Sequence, residues 1–334
     1  MSPLDRIRLL GGAARFAELG TSRYQLARLV ERGDLVLVDR GCYALPGAPP
    51  DIVTAARTNT TVGCISAVQM HDPACPVRDR VTHLTIDRRR GHRPRVGTGT
   101  RLHYGAPTPS VEIRGTATRL APLERAVVQA AQCQPYDQVV TMLDHLVHER
   151  GPQLLEPVLT LLGRTRPGRA RALASDVDGS SRSPMETALR LHLRRAGLAV
   201  AAAPVVPGVG EVDFIVEGVL IVELDGYQYH SDRLAYRTDR RRDRQALRLG
   251  LATARFAFED SDPARVLREI VPICRSLRRT PLEISASVPA DTVDQLAERR
   301  SIWVGPSSRA TGWRHLTGVD ALTVRRGLPD RVIW

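Results

Sequence analysis

Residues 218–230, GVLIVELDGYQYH, read as a buried strand that runs into acids. Val219 to Val222 and Leu224 are apolar, whereas Glu223 and Asp225 stand two apart and so share one face of the strand. A carboxylate there is costly unless it is paired, protonated or holding a cation. A third acid, Asp213, sits in the preceding apolar run, Val212-Asp213-Phe214. Phosphodiester hydrolysis uses a hard cation that polarises a phosphate oxygen and lowers the pKa of an attacking water. Mg²⁺ or Mn²⁺ takes oxygen ligands for that purpose. Asp213 and Glu223 are the candidate ligands, with a main-chain carbonyl near Leu224 as a third. The competing reading is a salt-bridged sheet face, with Arg255 or Arg237 neutralising the acids. The residues alone leave both open.

Parity decides whether the two acids can meet. A two-residue turn at Glu217-Gly218 sets Asp213 opposite Val222, while a three-residue connection through Val219 pairs it with Glu223. The metal reading therefore predicts the odd connection, or an equivalent bulge at Gly218. Asp225 is either a further ligand or water-positioning acid, or a turn residue before Gly226. His230 either relays a proton or packs in a loop. Arg242 and Arg255 are candidate phosphate clamps, and Tyr227 and Tyr229 either stack on bases or cover the core. Glu186 either lines the site or completes a capping box with Ser183.

The elements that must position these residues follow in order. A Gly-, Ser-, Arg- and Asp-rich stretch at 163–184 reads as a linker. A helix starts at Ser183-Pro184 and closes at Gly197. Two strands, an Arg-rich helix (DRLAYRTDRRRDRQALRLG), the strand TARFAF and a last helix complete an α-β-β-α-β-α series. The helix acid Glu186, the V-D-F at 212–214, V-E-L-D-G ending in His230, DRRRDRQALRLG and ARF together resemble the Vsr-like endonuclease family. That family belongs to the PD-(D/E)XK nuclease superfamily, and the resemblance covers 180–280. It implies a restriction-endonuclease-like α/β domain, with Asp213, Glu223, Asp225, His230 and Glu186 as catalytic positions and Mg²⁺ (or Mn²⁺) on Asp213 and Glu223. One departure stands out: the superfamily's E-x-K is Glu223-Leu224-Asp225 here, and the chain has no lysine at all.

Residues 1–48 read as helix, Gly20 turn, second helix and hairpin. Ser22 and Gln25 make an S-x-x-Q capping box. Leu26, Leu29 and Val30 form the inward stripe of the second helix, leaving Arg23, Tyr24, Gln25 and Arg28 outward. Two short strands flank Arg40-Gly41. This is a winged helix-turn-helix layout, with Arg23, Arg28 and Arg40 as candidate DNA contacts. It resembles the N-terminal domain of AbiEi-type antitoxins; a protein-binding helical module is the competing reading. Residues 49–165 read as an α/β middle domain, with strands in VTHLTID and RLHY flanking a basic loop at 88–95. Their histidines, His71, His83, His92, His103, His145 and His148, show no ligand spacing and read as surface or packing residues. The five cysteines are scattered, with no C-x-x-C pair. The tail, 281–334, holds Trp303, Trp313 and Trp334 and reads as an extension that could meet a protein partner.

The 334 residues carry 48 basic and 36 acidic side chains, a net +12, and every basic one is arginine. Arginine binds phosphate bidentately, so this excess favours a nucleic-acid partner, although codon bias accounts for the missing lysines. No apolar run is long enough for a membrane span and no signal-peptide core opens the chain, which predicts a cytoplasmic protein. The expectation is an α/β (α+β) multidomain, metal-dependent DNA endonuclease, with RNA the lesser substrate. The alternative is a non-cleaving DNA-binding regulator or antitoxin.

Overall fold

The computed structural model describes residues 1–87, 93–105, 112–113, 116–117, 119–225 and 233–279. His230, Tyr227, Tyr229, His92, most of the basic loop and the tryptophan-bearing tail lie outside the described residues. The architecture is mixed α and β with several small sheets. The chain forms two compact units, the first from 1–142 and 153–173, the second from 143–152 and 174 onward. Among the described residues no helix is long and apolar enough to cross a membrane.

The first unit opens with α1 (Pro3–Leu9), β1 (Ala13–Arg15), α2 (Phe16–Leu19), α3 (Arg23–Glu31), β2 (Val36–Asp39) and β3 (Cys42–Ala44). The three strands pair antiparallel in the order β1-β3-β2. Gly20, at φ +59°, ends α2 in the left-handed region that glycine enters without penalty. Ser22 and Gln25 cap α3 reciprocally, Ser22 Oγ accepting the Gln25 N–H at 3.2 Å. Ile7, Leu10, Ala14, Leu19, Leu26 and Leu35 form the core, which leaves Arg23, Tyr24, Gln25 and Arg28 exposed.

The chain continues through α4 (Pro50–Thr58), β4 (Thr61–Val62), α5 (Cys64–His71), β5 (Thr82–Asp87), β6 (Thr100–Gly105), β7 (Glu112–Ile113), β8 (Thr116–Ala117), α6 (Leu123–Cys133), α7 (Tyr136–Arg150), α8 (Leu155–Gly163) and α9 (Pro167–Asp176), with α7 from 143 and the end of α9 from 174 belonging to the second unit. Strand β5 pairs antiparallel with β4 and parallel with β6. Helix α5 packs against both α6 and β5, burying Ile65, Ala67, Val68, Val127, Ala130 and Ala131.

Helix α9 corrects the linker reading of 163–184. Pro167 opens a helix whose Ala170 and Leu173 are buried, and Arg169 donates to the Gln134 carbonyl at 2.8 Å. Residues 167–176 of the stretch whose composition suggests a linker are thus a helix anchored through Ala170 and Leu173, with Arg171 exposed.

The second unit runs α10 (Pro184–Arg195), β9 (Val200–Ala202), β10 (Val205–Val206), β11 (Gly210–Glu211), β12 (Phe214–Val216), β13 (Leu220–Asp225), α11 (Arg233–Arg248), β14 (Ala252–Ala257) and α12 (Pro263–Arg279). Its main sheet has the order β14-β13-β12-β9. β9, β12 and β13 form an antiparallel meander, and β14 adds parallel to β13. One face packs Phe214, Val216, Leu220 and Val222 against Leu189 and Leu193 of α10 and Val266 and Ile270 of α12. The other packs Ile215 and Ile221 against Ala246 of α11. β9 was not expected: Ala-rich LAVAAAP lacks the β-branched pattern of a strand, and its pairing with β12 supplies what its propensity does not.

A charged cluster is sealed inside this unit. Arg190, with no solvent exposure, meets the carboxylate of Asp144 and lies 3.2 Å from that of Asp178. Thr187 Oγ1 donates to Asp144 at 2.8 Å, and the Asp178 N–H donates to its other oxygen at 3.1 Å. Breaking a buried ion pair from one side leaves a charge without compensation, a loss of about 3–5 kcal/mol. Arg190→Met should therefore lower the free energy of unfolding by about 3 kcal/mol or more in urea. The double variant with Asp144→Leu should lose much less than the sum of the singles; additive losses would show that the two side chains are not coupled.

Candidate functional site

The hairpin register brings the two strand acids together. Phe214 pairs with Val222, Ile215 with Ile221 and Val216 with Leu220, so the same register sets Asp213 opposite Glu223. The connection is a tight turn with both Glu217 (φ +58°) and Gly218 (φ +68°) left-handed, and Val219 is the additional residue that shifts the parity. The Val219 N–H donates to the Val216 carbonyl at 3.2 Å. A left-handed glutamate is strained, and its own side chain holds it: Glu217 Oε1 accepts the Ala199 N–H at 2.6 Å, and its other oxygen pairs with Arg278.

Asp213 is half-buried, and its Oδ2 accepts the Leu224 N–H at 2.7 Å. Main-chain Leu224 thus meets Asp213 through its N–H. Burial pushes the Asp213 carboxyl above the ordinary range, and the negative charges of Glu186 and Glu223 push the same way. Asp213, just before β12, thus feels an acid from α10 and one from β13. Glu186 lies in the first turn of α10, where its N–H donates to Ser183 Oγ at 3.1 Å. Its carboxylate accepts the Arg182 N–H at 2.8 Å, one residue outside the capping box expected from the sequence.

Glu223 is compensated. Arg255, its cross-strand partner on β14, donates from Nε to Glu223 Oε2 at 2.7 Å and from Nη2 to Asp243 Oδ1 at 2.6 Å. Arg242 of α11 donates to Glu223 Oε1 at 3.2 Å and to the Glu211 carbonyl at 2.8 Å. The neutralising pair is thus Arg255 with Arg242, where the sequence offered Arg255 or Arg237. Asp243 is held below the usual carboxylate range, first by its hydrogen bond from Arg255. Asp225, at the end of β13, is pushed up by burial, and by Glu223 and Asp239, against the pull of Arg255. In the first unit Arg23 lies 5.3 Å from the Phe16 ring centre, Arg28 pairs with Glu31 at 3.5 Å, and Arg40 is exposed between β2 and β3.

A different constellation escaped the sequence. Among the described residues, the one group of three or more His, Cys, Asp and Glu ligand atoms lying mutually within 4.8 Å is Cys64, His83, His103 and Cys133. Cys64 opens α5, His83 lies in β5, His103 in β6, and Cys133 closes α6. His83 Nδ1 and His103 Nε2 face each other at 2.9 Å with the rings stacked, and Cys133 Sγ is 3.9 Å from His83 Nδ1. The ring nitrogens of His83 and His103 thus lie against each other and near the two thiols, a grouping that their spacing in the sequence does not announce. Cys133 is held down to about 5 by the hydrogen bond from the Cys64 thiol, with Arg101 adding a second donor against burial. That bond and burial push Cys64 up, and burial pushes His103 down to about 4. The ligands are 19, 20 and 30 residues apart, so no short motif announces them. The available signal was a histidine inside each of two legible strands, VTHLTID and RLHY.

No family model matches the chain, and no curated relative does. One solved structure similar in part is that of the RV2827C protein from Mycobacterium tuberculosis. It is 19% identical, the match covers 51% of this chain and 78% of that one, and the TM-score is 0.26.

The raised Asp213 carboxyl makes a prediction. A group whose folded pKa lies above its unfolded value of about 3.9 lowers stability as pH rises between the two, and the full deficit persists at neutral pH. Asp213→Asn keeps an oxygen for the Leu224 N–H and removes the charge. Its melting temperature should exceed that of wild type at pH 7, and the gain should vanish as pH falls below about 4. An equal gain at both pH values would show that charge is not its origin.

Proposed function

We propose that the protein is a DNA-binding, divalent-metal-dependent nuclease whose hydrolytic site lies in the second unit. Asp213 and Glu223 hold Mg²⁺ or Mn²⁺ and Glu186 lines the site. Asp225 positions the attacking water or adds a ligand. The observation that carries this reading is the register that sets Asp213 opposite Glu223, with the Asp213 carboxyl raised by burial and by the charges of Glu186 and Glu223, a cost that a bound cation would relieve. Metal binding would draw Glu223 from Arg242 and Arg255, freeing two guanidiniums for the scissile phosphate. The order α1-β1-α2-α3-β2-β3, with Arg23, Tyr24 and Arg28 exposed on α3 and Arg40 between β2 and β3, supports a winged-helix DNA-binding module at the N-terminus. His230 completes the proposed catalytic set. A DNA substrate puts the protein in the cytoplasm.

A second reading rests on Glu223. Both its oxygens are taken by guanidiniums, and Asp225 stands where the superfamily places lysine. An acid compensated in this way suits a DNA-binding regulator or antitoxin that does not cut.

Full-length protein with supercoiled plasmid and a series of divalent cations separates the two. Cleavage should require Mg²⁺ or Mn²⁺, and Asp213→Ala and Glu223→Ala should each reduce it by about a hundredfold or more, the scale of losing a positioned catalytic group. Full activity in both variants sinks this site. Duplex binding without cleavage under any cation establishes the regulator.

The N-terminal module is tested by salt. Replacing Arg23 and Arg28 with Ala should weaken duplex binding and flatten the slope of log K against log salt by roughly 1.8, about 0.9 for each phosphate contact removed. An unchanged slope would assign the module to protein binding.

A further inference from the structure

We propose that Cys64, His83, His103 and Cys133 form a zinc site that ties four elements of the first unit together. The donor set is the first argument. Two thiols and two imidazoles suit tetrahedral Zn²⁺, at about 2.3 Å to sulfur and about 2.0 Å to nitrogen. Ligands at those distances stand roughly 3.3–3.8 Å from one another. The four atoms already lie within 4.8 Å, and Cys133 Sγ to His83 Nδ1 is 3.9 Å. Binding needs only small side-chain adjustments. Two thiolates cancel the charge of Zn²⁺, so the closed centre is neutral at its burial depth.

The surroundings are the second argument, because groups that do not themselves ligate hold His83, Cys133 and the backbone of Cys64. His83, fully buried, presents Nε2 to Asp79 Oδ2 at 3.0 Å. That hydrogen bond places the proton on Nε2 and leaves Nδ1 as the lone pair facing the other ligands, the carboxylate–histidine arrangement of zinc centres. Asp79 is fixed in turn by the Val81 N–H at 3.0 Å and Gln134 Nε2 at 3.2 Å. Arg101 Nη1 donates to Cys133 Sγ at 3.3 Å, which suits a thiolate. Gln129 Oε1 accepts both the Cys64 N–H at 2.9 Å and Thr85 Oγ1 at 3.0 Å.

Backbone strain is the third. Cys64, the first residue of α5, is left-handed at φ +50°, an unfavourable conformation for a side-chain-bearing residue. A Cβ on the preceding Gly63 would collide with Thr85 Oγ1 and Gln129 Oε1. The Gly63 backbone is thus packed tightly against Thr85 and Gln129, and left-handed Cys64 follows it with its sulfur in the cluster. Four protein ligands leave no open position, so the role is structural: the ion clamps the N-terminus of α5 and the C-terminus of α6 onto the parallel pair β5 and β6.

The test uses the full-length chain purified without chelator or added metal. Elemental analysis should find about one zinc per chain. Exchange into Co²⁺ should give the intense visible bands of a tetrahedral site with a thiolate-to-cobalt transition in the near ultraviolet. Cys64 and Cys133 should resist a thiol reagent until a strong chelator is added, and chelation should lower the melting temperature. Asp79→Asn leaves all four ligands in place and should weaken zinc binding by about ten- to a hundredfold. Cys133→Ser and His103→Ala should abolish the cobalt spectrum; if either fails to fold, the Asp79→Asn affinity and the wild-type cobalt spectrum still decide. Substoichiometric zinc that cannot be restored by reconstitution, weak octahedral cobalt bands, a Cys64–Cys133 disulfide in fresh protein, or another metal in zinc's place would each overturn the assignment.

Discussion

The second unit depends on the parity of one connection. Left-handed Glu217 and Gly218 turn the chain, and Val219 adds the residue that sets Phe214 against Val222. Side chains alternate along a strand, so this choice sends Phe214, Val216, Leu220 and Val222 to α10 and α12, and Ile215 and Ile221 to α11. One residue fewer would turn Ile215 and Ile221 toward the wrong helices relative to each other and break both cores. The acids follow from the same constraint, since Glu223 shares a face with Ile221 and its register partner is Asp213. The strain at Glu217 is tolerated because its carboxylate secures Ala199 on β9's approach and pairs with Arg278. Core packing and acid placement are one decision.

Charge is then handled differently at neighbouring positions. Glu223 is surrounded by Arg242, Arg255 and the Asp243 that shares Arg255, and such a closed ion network needs no cation. Asp213 has a backbone N–H and two acids nearby, and its carboxyl is raised. Asp213 thus favours losing its charge, whether to a proton or to a cation, while Glu223 is paired with two guanidiniums. An all-arginine chain sharpens the contrast, because a guanidinium binds a carboxylate through fixed planar donors and holds it in place.

Local signals were legible where the causes were local. Ser22 and Gln25 announced the start of α3, and the run to Asp225 announced β13, because capping and alternation act over three or four residues. Segment 163–184 has the composition of a linker, whereas the helicity of 167–176 within it depends on Ala170 and Leu173 meeting a core that no window of sequence reveals. Arg190 and Asp144, 46 residues apart, left no trace for the same reason. The Cys-His cluster is the extreme case: each ligand is unremarkable in its own element, and only the pairing of β5 with β6 and the packing of α5 on α6 make them neighbours.

The two candidate sites are built on one device. A parallel strand pair cannot be closed by a tight turn, so the chain must leave the sheet and return, and other elements lie over the pair. In the second unit β13 and β14 are such a pair, with Glu223 beside Arg255, and the connecting α11 brings Arg242 and Asp243 over them. In the first unit β5 and β6 are such a pair, with His103 beside Thr85 and one step diagonal from His83, and the flanking α5 and α6 bring Cys64 and Cys133. The ligand types then fix what each can hold. Carboxylates select hard cations that bind weakly and exchange with water, whereas thiolates with imidazole select zinc and keep it. The second-unit acids are thus hard-cation donors beside guanidiniums, and the first-unit cluster offers four soft and borderline donors to one centre.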